Sequence, residues 1–430
     1  MLSRTRISDQ DMSQVFQQAL KQNGLIENAD TAVIFIDLDF LSERIQHLKS
    51  VFPPGALHTV AVKANPLAAV LKKINHWGAG LEAASLPELY LAEKAGVSAD
   101  RIVFDSPVKT IDDIAYALKL GVHINADSLA ELARISELKD SMPSRSTIGI
   151  RINPQVGLGN IAMTSVAGRH AKFGVPITGS REDLIQAFLK HEWLDGVHLH
   201  IGSQGCSADL MLKGVETVLD FIREVNSRLA NAPGGRTIKI LDIGGGLPVS
   251  YHRCQHALEM DAYSSLLFTR FPELRSFDLI TEFGRYVHAN SAWAASRVEY
   301  VKTDSHVKTA MIHLGADMFL RKSYRPDEWH HELTVVDPAG SIKTGQDELP
   351  YVIAGPLCFA GDVLATGAIL PPMMQNDYLL IHDVGAYTFS MWSRYNSRQL
   401  PKMIGYAGGG KHFEILKTRE TVDQVRDFWS

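Results

Sequence analysis

The sequence predicts an α/β chain in two parts, a (β/α)₈ barrel followed by a C-terminal β-rich domain. Three observations carry this. From Ala32 onward short β-branched runs alternate with helical stretches at the spacing of βαβ units. About eight such runs fall between Ala32 and Val287, the number and the ~250-residue span of a closed barrel. From about Ser291 the texture changes to strands and turns. The expected organisation is an N-terminal segment 1–31 packing with the β-domain, a barrel over 32–290 and a β-domain over 291–430.

The elements follow in order. AVIFIDL (32–38) reads as a strand and FLSERIQHLKSVF (40–52) as a helix. LHTVAVKAN (57–65) is extended, PLAAVLKKINHWG (66–78) helical, GLEAAS (80–85) extended and LPELYLAEKAG (86–96) helical. RIVFDS, VHINAD and TIGIRIN continue the extended series, separated by the helical TIDDIAYALKLG and LAELARISELK. WLDGVHLHIGS, TIKILDIGGG and DLITEFGR complete it. Beyond lie SRVEYVKT, KTAMIHLG, HELTVVD, YVIAG, DYLLIHD and KMIGYAGGGKHFEILK, all strand-like.

Composition bounds the function. The 430 residues hold 43 Lys+Arg and 48 Asp+Glu, a net charge of -5, which argues against a nucleic-acid binder. Three cysteines, Cys206, Cys254 and Cys358, are too few and too scattered for a disulfide framework and point to a reducing compartment. The N-terminus shows no signal-peptide pattern, and no apolar run approaches the ~18 residues of a membrane span. The expectation is a soluble, cytoplasmic protein.

In a barrel of this kind functional groups gather at the C-terminal strand ends. Lys63 follows LHTVAV; there it is either a snorkelling lysine or a desolvated amine suited to a Schiff base. Arg151 and Asn153 follow TIGI, and His200, Gly202, Ser203 and Gln204 follow GVHLH. Gly244, Gly245 and Gly246 follow LDI, where exposed N–H groups can cradle a phosphate or simply make a tight turn. Glu282, Gly284 and Arg285 follow DLIT. Arg285 and Ser203 would add donors to a phosphate, and a carboxylate such as Glu282 can keep a pyridine nitrogen protonated. Gly405-Tyr406-Ala407-Gly408-Gly409-Gly410-Lys411-His412 lacks the Ser/Thr of a nucleotide-binding loop and reads as a hairpin turn. His330-His331-Glu332 lacks metal-ligand spacing, and no metal site is expected.

Taken in order, these residues resemble a known family. Lys63-Ala64-Asn65, His200-Ile201-Gly202-Ser203-Gln204, Gly244-Gly245-Gly246, Glu282-Phe283-Gly284-Arg285, Gly355-Pro356-Leu357-Cys358 with Asp362, and Asp383-Val384-Gly385-Ala386-Tyr387 are similar to the motifs of the fold-type III pyridoxal 5'-phosphate (PLP)-dependent decarboxylases. This is the diaminopimelate/ornithine/arginine decarboxylase group, and the match runs from about residue 30 to 400. The resemblance implies an alanine-racemase-like barrel carrying PLP on Lys63 as a Schiff base. It implies that Glu282 pairs with the pyridine nitrogen and His200 stacks on the ring. Ser203, Gly244, Gly245, Gly246, Arg285 and Tyr387 would bind the phosphate, with Glu82, Arg151 and Gly284 completing the cofactor set. It further implies a homodimer with active sites at the interface, in which Cys358 comes from the partner subunit and returns a proton to the substrate.

The chain also departs from that pattern. Where diaminopimelate decarboxylases have Cys-Glu-Ser-x-Asp, it has Cys358-Phe359-Ala360-Gly361-Asp362, so an aromatic replaces the acid that holds a distal ammonium. Asp362 remains a candidate for a distal amine, and Arg321 or Arg325 for a substrate carboxylate, with Phe359 and Tyr387 beside them. Val60 stands where an aromatic is usual, Phe283 replaces a proline, and Trp392 and Arg394 are additions. These changes point to an atypical subgroup acting on ornithine, lysine or a larger diamino-acid derivative such as a siderophore intermediate. Two other readings stay open: a racemase of the same cofactor fold, and a catalytically silent homologue acting as a binding regulator. The Gly-Pro-x-Cys segment favours decarboxylation over the first, and the retained cofactor residues weigh against the second.

Overall fold

The structure is a computed structural model that describes residues 4–304, 307–345 and 347–430; residues 1–3 of the N-terminal segment lie outside them. The first strand corrects the sequence reading. β1 (Ala32–Asp37) pairs antiparallel with Ala292–Thr303 and parallel with Lys402–Ala407, so it belongs to the β-rich sheet and not to the barrel. All six of its residues are buried. A short, continuously apolar run fits the centre of either a barrel or a mixed sheet, and periodicity cannot separate the two.

The barrel therefore begins one strand later. Its eight parallel strands are β2 (Leu57–Ala61), β3 (Gly80–Ala83), β4 (Ile102–Asp105), β5 (His123–Ala126), β6 (Ile148–Asn153), β8 (Leu194–His198), β9 (Ile240–Asp242) and β10 (Asp278–Thr281). They run in chain order, and β10 closes the ring by pairing with β2. The two-residue β7 (Val175–Pro176) extends the end of β6. The intervening helices start and stop on local signals. Thr110 and Asp113 form a capping box on Ile111–Leu120, which ends at Gly121 with φ +86°; Ser85 and Ser128 cap the helices that follow them. Each such cap contributes about 1 kcal/mol. The helix Ala208–Ala230 buries Met211, Leu212, Val215, Val218, Leu219 and Ile222, the stripe expected of a helix lying on a sheet.

The barrel interior is not wholly aliphatic. Gly149 lies in β6, where a Cβ would come within 2.4 Å of Asn125 Oδ1. That space admits a polar layer. His123 Nε2 lies 3.0 Å from Asn125 Oδ1, His123 Nδ1 lies 2.7 Å from Thr147 Oγ1, and Asn125 Nδ2 donates to Asp242 Oδ2 at 3.1 Å. Buried polar groups persist only when partnered in this way.

The chain divides into two compact units, one of Arg44–Val249 with Ala257–Tyr286, the other of the chain up to Glu43, Ser250–His256 and Val287–Ser430. The second unit contains β11 (Ala292–Thr303), β12 (Lys308–Ile312), β13 (Leu333–Val336), β14 (Leu349–Ala354), β15 (Val363–Leu370), β16 (Tyr378–Ile381), β17 (Lys402–Ala407) and β18 (His412–Lys417). The strand order is β15-β14-β12-β11-β1-β17-β18, with β16 pairing β11 and β13. Its core forms under the helix Asp9–Lys21, whose Met12, Val15, Phe16 and Ala19 cluster with Phe35, Trp293, Val336, Leu380 and Tyr406. Phe35 stacks on Trp293 with centroids 4.2 Å apart. Gly408, Gly409 and Gly410 all have left-handed φ and turn β17 antiparallel into β18, so this glycine run is a hairpin turn. Among the described residues no helix is long and apolar enough to cross a membrane.

Candidate active site

The strand ends of the barrel converge on one set of charged side chains. A single 3₁₀ turn, Val62–Ala64, follows β2 and lifts Lys63 clear of the strand. Lys63 Nζ donates to both oxygens of Glu82, at 2.6 and 2.5 Å. Glu82 is fully buried at the end of β3, and burial pushes its carboxyl up to about 8 against the pull of Lys63. Asp105, ending β4, accepts from Arg151 Nη1 at 2.9 Å, and Arg151 comes from β6. This pairing holds the Asp105 carboxyl well below its ordinary range despite burial.

His198, His200 and Glu282 adjoin them, with ligand atoms of Glu82, Asp105 and Glu282 within 4.8 Å of one another. His200 Nδ1 accepts the Gly245 N–H at 3.2 Å and lies 3.6 Å from Glu282 Oε2. A nitrogen that accepts a backbone N–H carries no proton, so His200 is neutral, and burial lowers its pKa accordingly. Glu282 is lowered to about 2 although burial opposes this; the charge of His198 is the largest of the pulls that outweigh the desolvation.

Beside them sits a turn that only glycine can build. Gly244 and Gly246 have φ of +63° and +103°. A Cβ on Gly245 would lie 2.3 Å from the Glu282 carbonyl oxygen, and one on Gly246 2.3 Å from the Gly202 carbonyl oxygen. Arg285 Nε donates to Ser203 Oγ at 3.0 Å, which brings a cation and a hydroxyl together. Gly284 packs against Ala61, where a Cβ would lie 2.8 Å from the Ala61 Cβ.

The remaining sequence candidates lie in the second unit. Tyr387 takes a left-handed φ of +54°, and Arg321 donates to the carbonyls of Ala386 and Tyr387 at 3.2 and 2.8 Å. The Arg321 guanidinium also lies 3.8 Å over the Trp329 ring. Arg321 thus braces the Tyr387 turn through one guanidinium nitrogen. Arg325 is exposed and 3.6 Å from Glu328, an ordinary surface pair. Asp362 is buried, and its two oxygens accept the backbone N–H groups of Ala316 at 2.5 Å and Leu357 at 2.6 Å, so its carboxylate closes a turn. Cys358 is exposed; its N–H donates to Asn396 Oδ1 at 2.7 Å. Phe359 is exposed and stacks on Tyr324 with centroids 5.8 Å apart.

Sequence reading passed over His198, Asp105, Asp242 and Asn125. The signal was there: in a strand, positions two apart share a face, so His198 and His200 in GVHLH point the same way. Asp105 and Asp242 end apolar strands, as Glu282 nearly does.

The donor set can be tested against PLP. A phosphate needs backbone N–H groups and a cation, and Gly244–Gly246, Ser203 and Arg285 offer them. A protonated pyridine nitrogen needs a buried anion, and Glu282 Oε1 is buried with no hydrogen-bond partner. An aldehyde needs an amine in a low-dielectric setting, and Lys63 stands beside a buried acid. The residues fit, and they define a barrel of the class that holds PLP through a lysine. The family model described as pyridoxal-dependent decarboxylase, pyridoxal binding domain, matches residues 38–289, and the chain belongs to that family. It is a PLP-dependent amino-acid decarboxylase. It is 31% identical over 371 residues to the diaminopimelate decarboxylase of Methanothermobacter thermautotrophicus, covering 85% of this chain and 83% of the relative. It is 32% identical over 376 residues to that of Pseudomonas fluorescens, with 86% of each covered. The Helicobacter pylori diaminopimelate decarboxylase solved with L-lysine superposes with a TM-score of 0.82 at 26% identity, covering 93% of this chain and 96% of that one.

Proposed function

We propose that this chain decarboxylates a diamino acid whose distal end is bulkier or less charged than that of diaminopimelate, with Lys63 holding the cofactor. PLP, when bound, supplies the electron sink that lets the bond from Cα to the carboxylate break. The residues supply the rest. Glu282 holds a proton on the pyridine nitrogen, and His200 offers an uncharged ring. Gly244–Gly246, Ser203, Arg285 and Tyr387 bind the phosphate. Glu82 would hold the Lys63 side chain as an ammonium whenever that amine is free, the contact the structure contains. Cys358 of the partner subunit would give its thiol proton to the substrate carbon in place of the lost carboxylate. Its sulfur then regains a proton from solvent. This makes a homodimer obligatory for turnover.

The observation that carries the substrate reading is Phe359. An exposed aromatic stacked on Tyr324 stands where diaminopimelate decarboxylases carry an acid, and Asp362 does not replace that acid because the turn uses it. A missing charge partner for a distal ammonium discriminates by orders of magnitude. The test is CO₂ release from meso-diaminopimelate, L-ornithine, L-lysine, L-arginine and acylated or carboxylated diamino acids, for wild type and Phe359→Glu. Wild type is expected to prefer an extended or less charged substrate, and Phe359→Glu to swing the kcat/KM ratio at least tenfold toward meso-diaminopimelate. Highest wild-type turnover on meso-diaminopimelate would sink the proposal.

A further inference from the structure

His198 has no role in the reading above, yet it stands at its centre. Its side chain is fully buried in the barrel. Nδ1 lies 3.5 Å from Asp105 Oδ1 and Nε2 lies 3.8 Å from Glu282 Oε2. Neither ring nitrogen has a hydrogen-bond partner, and Asp105 Oδ1 and Glu282 Oε1 are orphaned alongside them. A buried ring between two buried carboxylates, each a few tenths of an ångström beyond bonding distance, is a bridge waiting to tighten.

We propose that His198 is a positioning residue: its ring donates to both Asp105 and Glu282 and thereby fixes the carboxylate that faces the pyridine nitrogen. This rests on the assignment of Glu282 to that nitrogen.

The charges around the ring support it. Arg151 is engaged by Asp105 and Lys63 by Glu82, and His200 gives up its Nδ1 to the Gly245 N–H. Once Lys63 holds a cofactor it is no longer the ammonium seen here. Among the described residues His198 is then the group best placed to balance Glu282. Asp242 faces it from β9, held by Asn125 and the Gly244 N–H, and His123 faces it from β5. Burial alone would lower the His198 pKa, but Asp105, Asp242 and Glu282 outweigh it and raise it to about 9, so the ring is an imidazolium with two protons to donate. The chain also places the ring well. His198 ends β8 and His200 follows two residues on, so one strand aims one imidazole at the anion and offers the other, neutral, to the cofactor.

The test uses the full chain reconstituted with PLP labelled with ¹⁵N at the ring nitrogen, whose shift reports protonation directly. PLP affinity is read by titrating apoprotein. His198→Leu removes both donors; His198→Gln keeps a polar side chain but no charge, and covers the case in which leucine prevents folding. The expected result is at least a tenfold loss of PLP affinity at neutral pH, with the ¹⁵N signal moved toward the unprotonated value. In a Glu282→Gln background the same substitution should add less than twofold, because it acts through Glu282. A folded His198 variant that keeps the ¹⁵N signal and binds PLP within twofold of wild type would overturn the proposal, as would losses that add fully to those of Glu282→Gln. Glu282→Gln alone is the separate control: if it leaves the ¹⁵N signal unchanged, the underlying assignment of Glu282 fails, whatever His198 does.

Discussion

Gly245→Ala adds one methyl group at the point where the glycine turn meets the end of β10. The backbone there does not need glycine for its φ, unlike Gly244 and Gly246. The effect is therefore steric alone. The new Cβ would lie 2.3 Å from the Glu282 carbonyl oxygen and 3.3 Å from Phe283 Cα. A comfortable carbon–oxygen contact is about 3.3 Å. Turn and strand end must part by about 1 Å, and both are backbone, so no side chain can swing aside. A misplacement of about 1 Å at a reacting centre costs on the order of 100-fold in rate, and overpacking of this kind costs about 1–3 kcal/mol of stability. The expected outcome is a 10- to 100-fold fall in PLP affinity and kcat/KM, measured by cofactor titration and CO₂ release, beside a lower Tm. Gly409→Ala is the matched control. Its φ of +65° makes alanine strained, but nothing lies within 4 Å. It should lose about 1 kcal/mol of stability and leave PLP affinity alone. If Gly245→Ala bound PLP within twofold of wild type, the argument that this turn positions Glu282 and the phosphate donors would be wrong.

Two further outcomes follow from burial. His58 is buried against Thr281 and lowered to about 4, mainly by desolvation and secondarily by Lys49. The unfolded chain binds this proton near pH 6.5 and the folded chain does not, so its stability is full above that pH. It is lost as pH falls from 6.5 toward 4, by about 3 kcal/mol. Urea midpoints between pH 7.5 and 4.5 should fall less steeply for His58→Asn than for wild type, and parallel curves would refute this. Phe16 meets Phe35, Trp293 and Tyr378 edge-on at 6.1, 6.4 and 4.9 Å. Phe16→Ala should cost about 3–5 kcal/mol in urea unfolding, and a loss below about 1 kcal/mol would show that the N-terminal helix is not part of that core.

The barrel was legible because its strands and capped helices alternate at regular spacing, and because chemistry in such a barrel sits where strands end. Lys63, His200, the glycine turn, Glu282 and Arg285 were all found that way, and the structure brings them to one site. What failed did so for physical reasons. AVIFID is apolar on both faces, and nothing in its own sequence says which sheet will bury it. VLATGAIL went unread as a strand because only Leu364 and Leu370 of β15 are buried, which leaves no alternation to detect at a sheet edge. Asp362 and Arg321 looked like ligand groups because they are charged and near a motif. Sequence spacing does not reveal the backbone N–H groups and carbonyls that they bond.

That competition between turn-making and ligand-binding is concentrated in one stretch. Of the six non-glycine residues with left-handed φ among the described residues, four are Asp383, Tyr387, Asn396 and Ser397. Such conformations cost about 1 kcal/mol or more each and persist only where the surroundings hold them. The holders are visible. Asn290 Nδ2 donates to Asp383 Oδ1 at 2.8 Å and Arg6 pairs with its other oxygen. Arg321 takes the carbonyls beside Tyr387, and Asn396 takes the Cys358 N–H. Glycine at any of these positions would relieve strain, yet three of the four carry a side chain that glycine lacks: the buried acid of Asp383, the phenol of Tyr387 and the Asn396 amide that accepts the Cys358 N–H. Left-handed backbone is thus retained where polar partners hold it, in the segment that carries Tyr387 and bonds the Cys358 N–H.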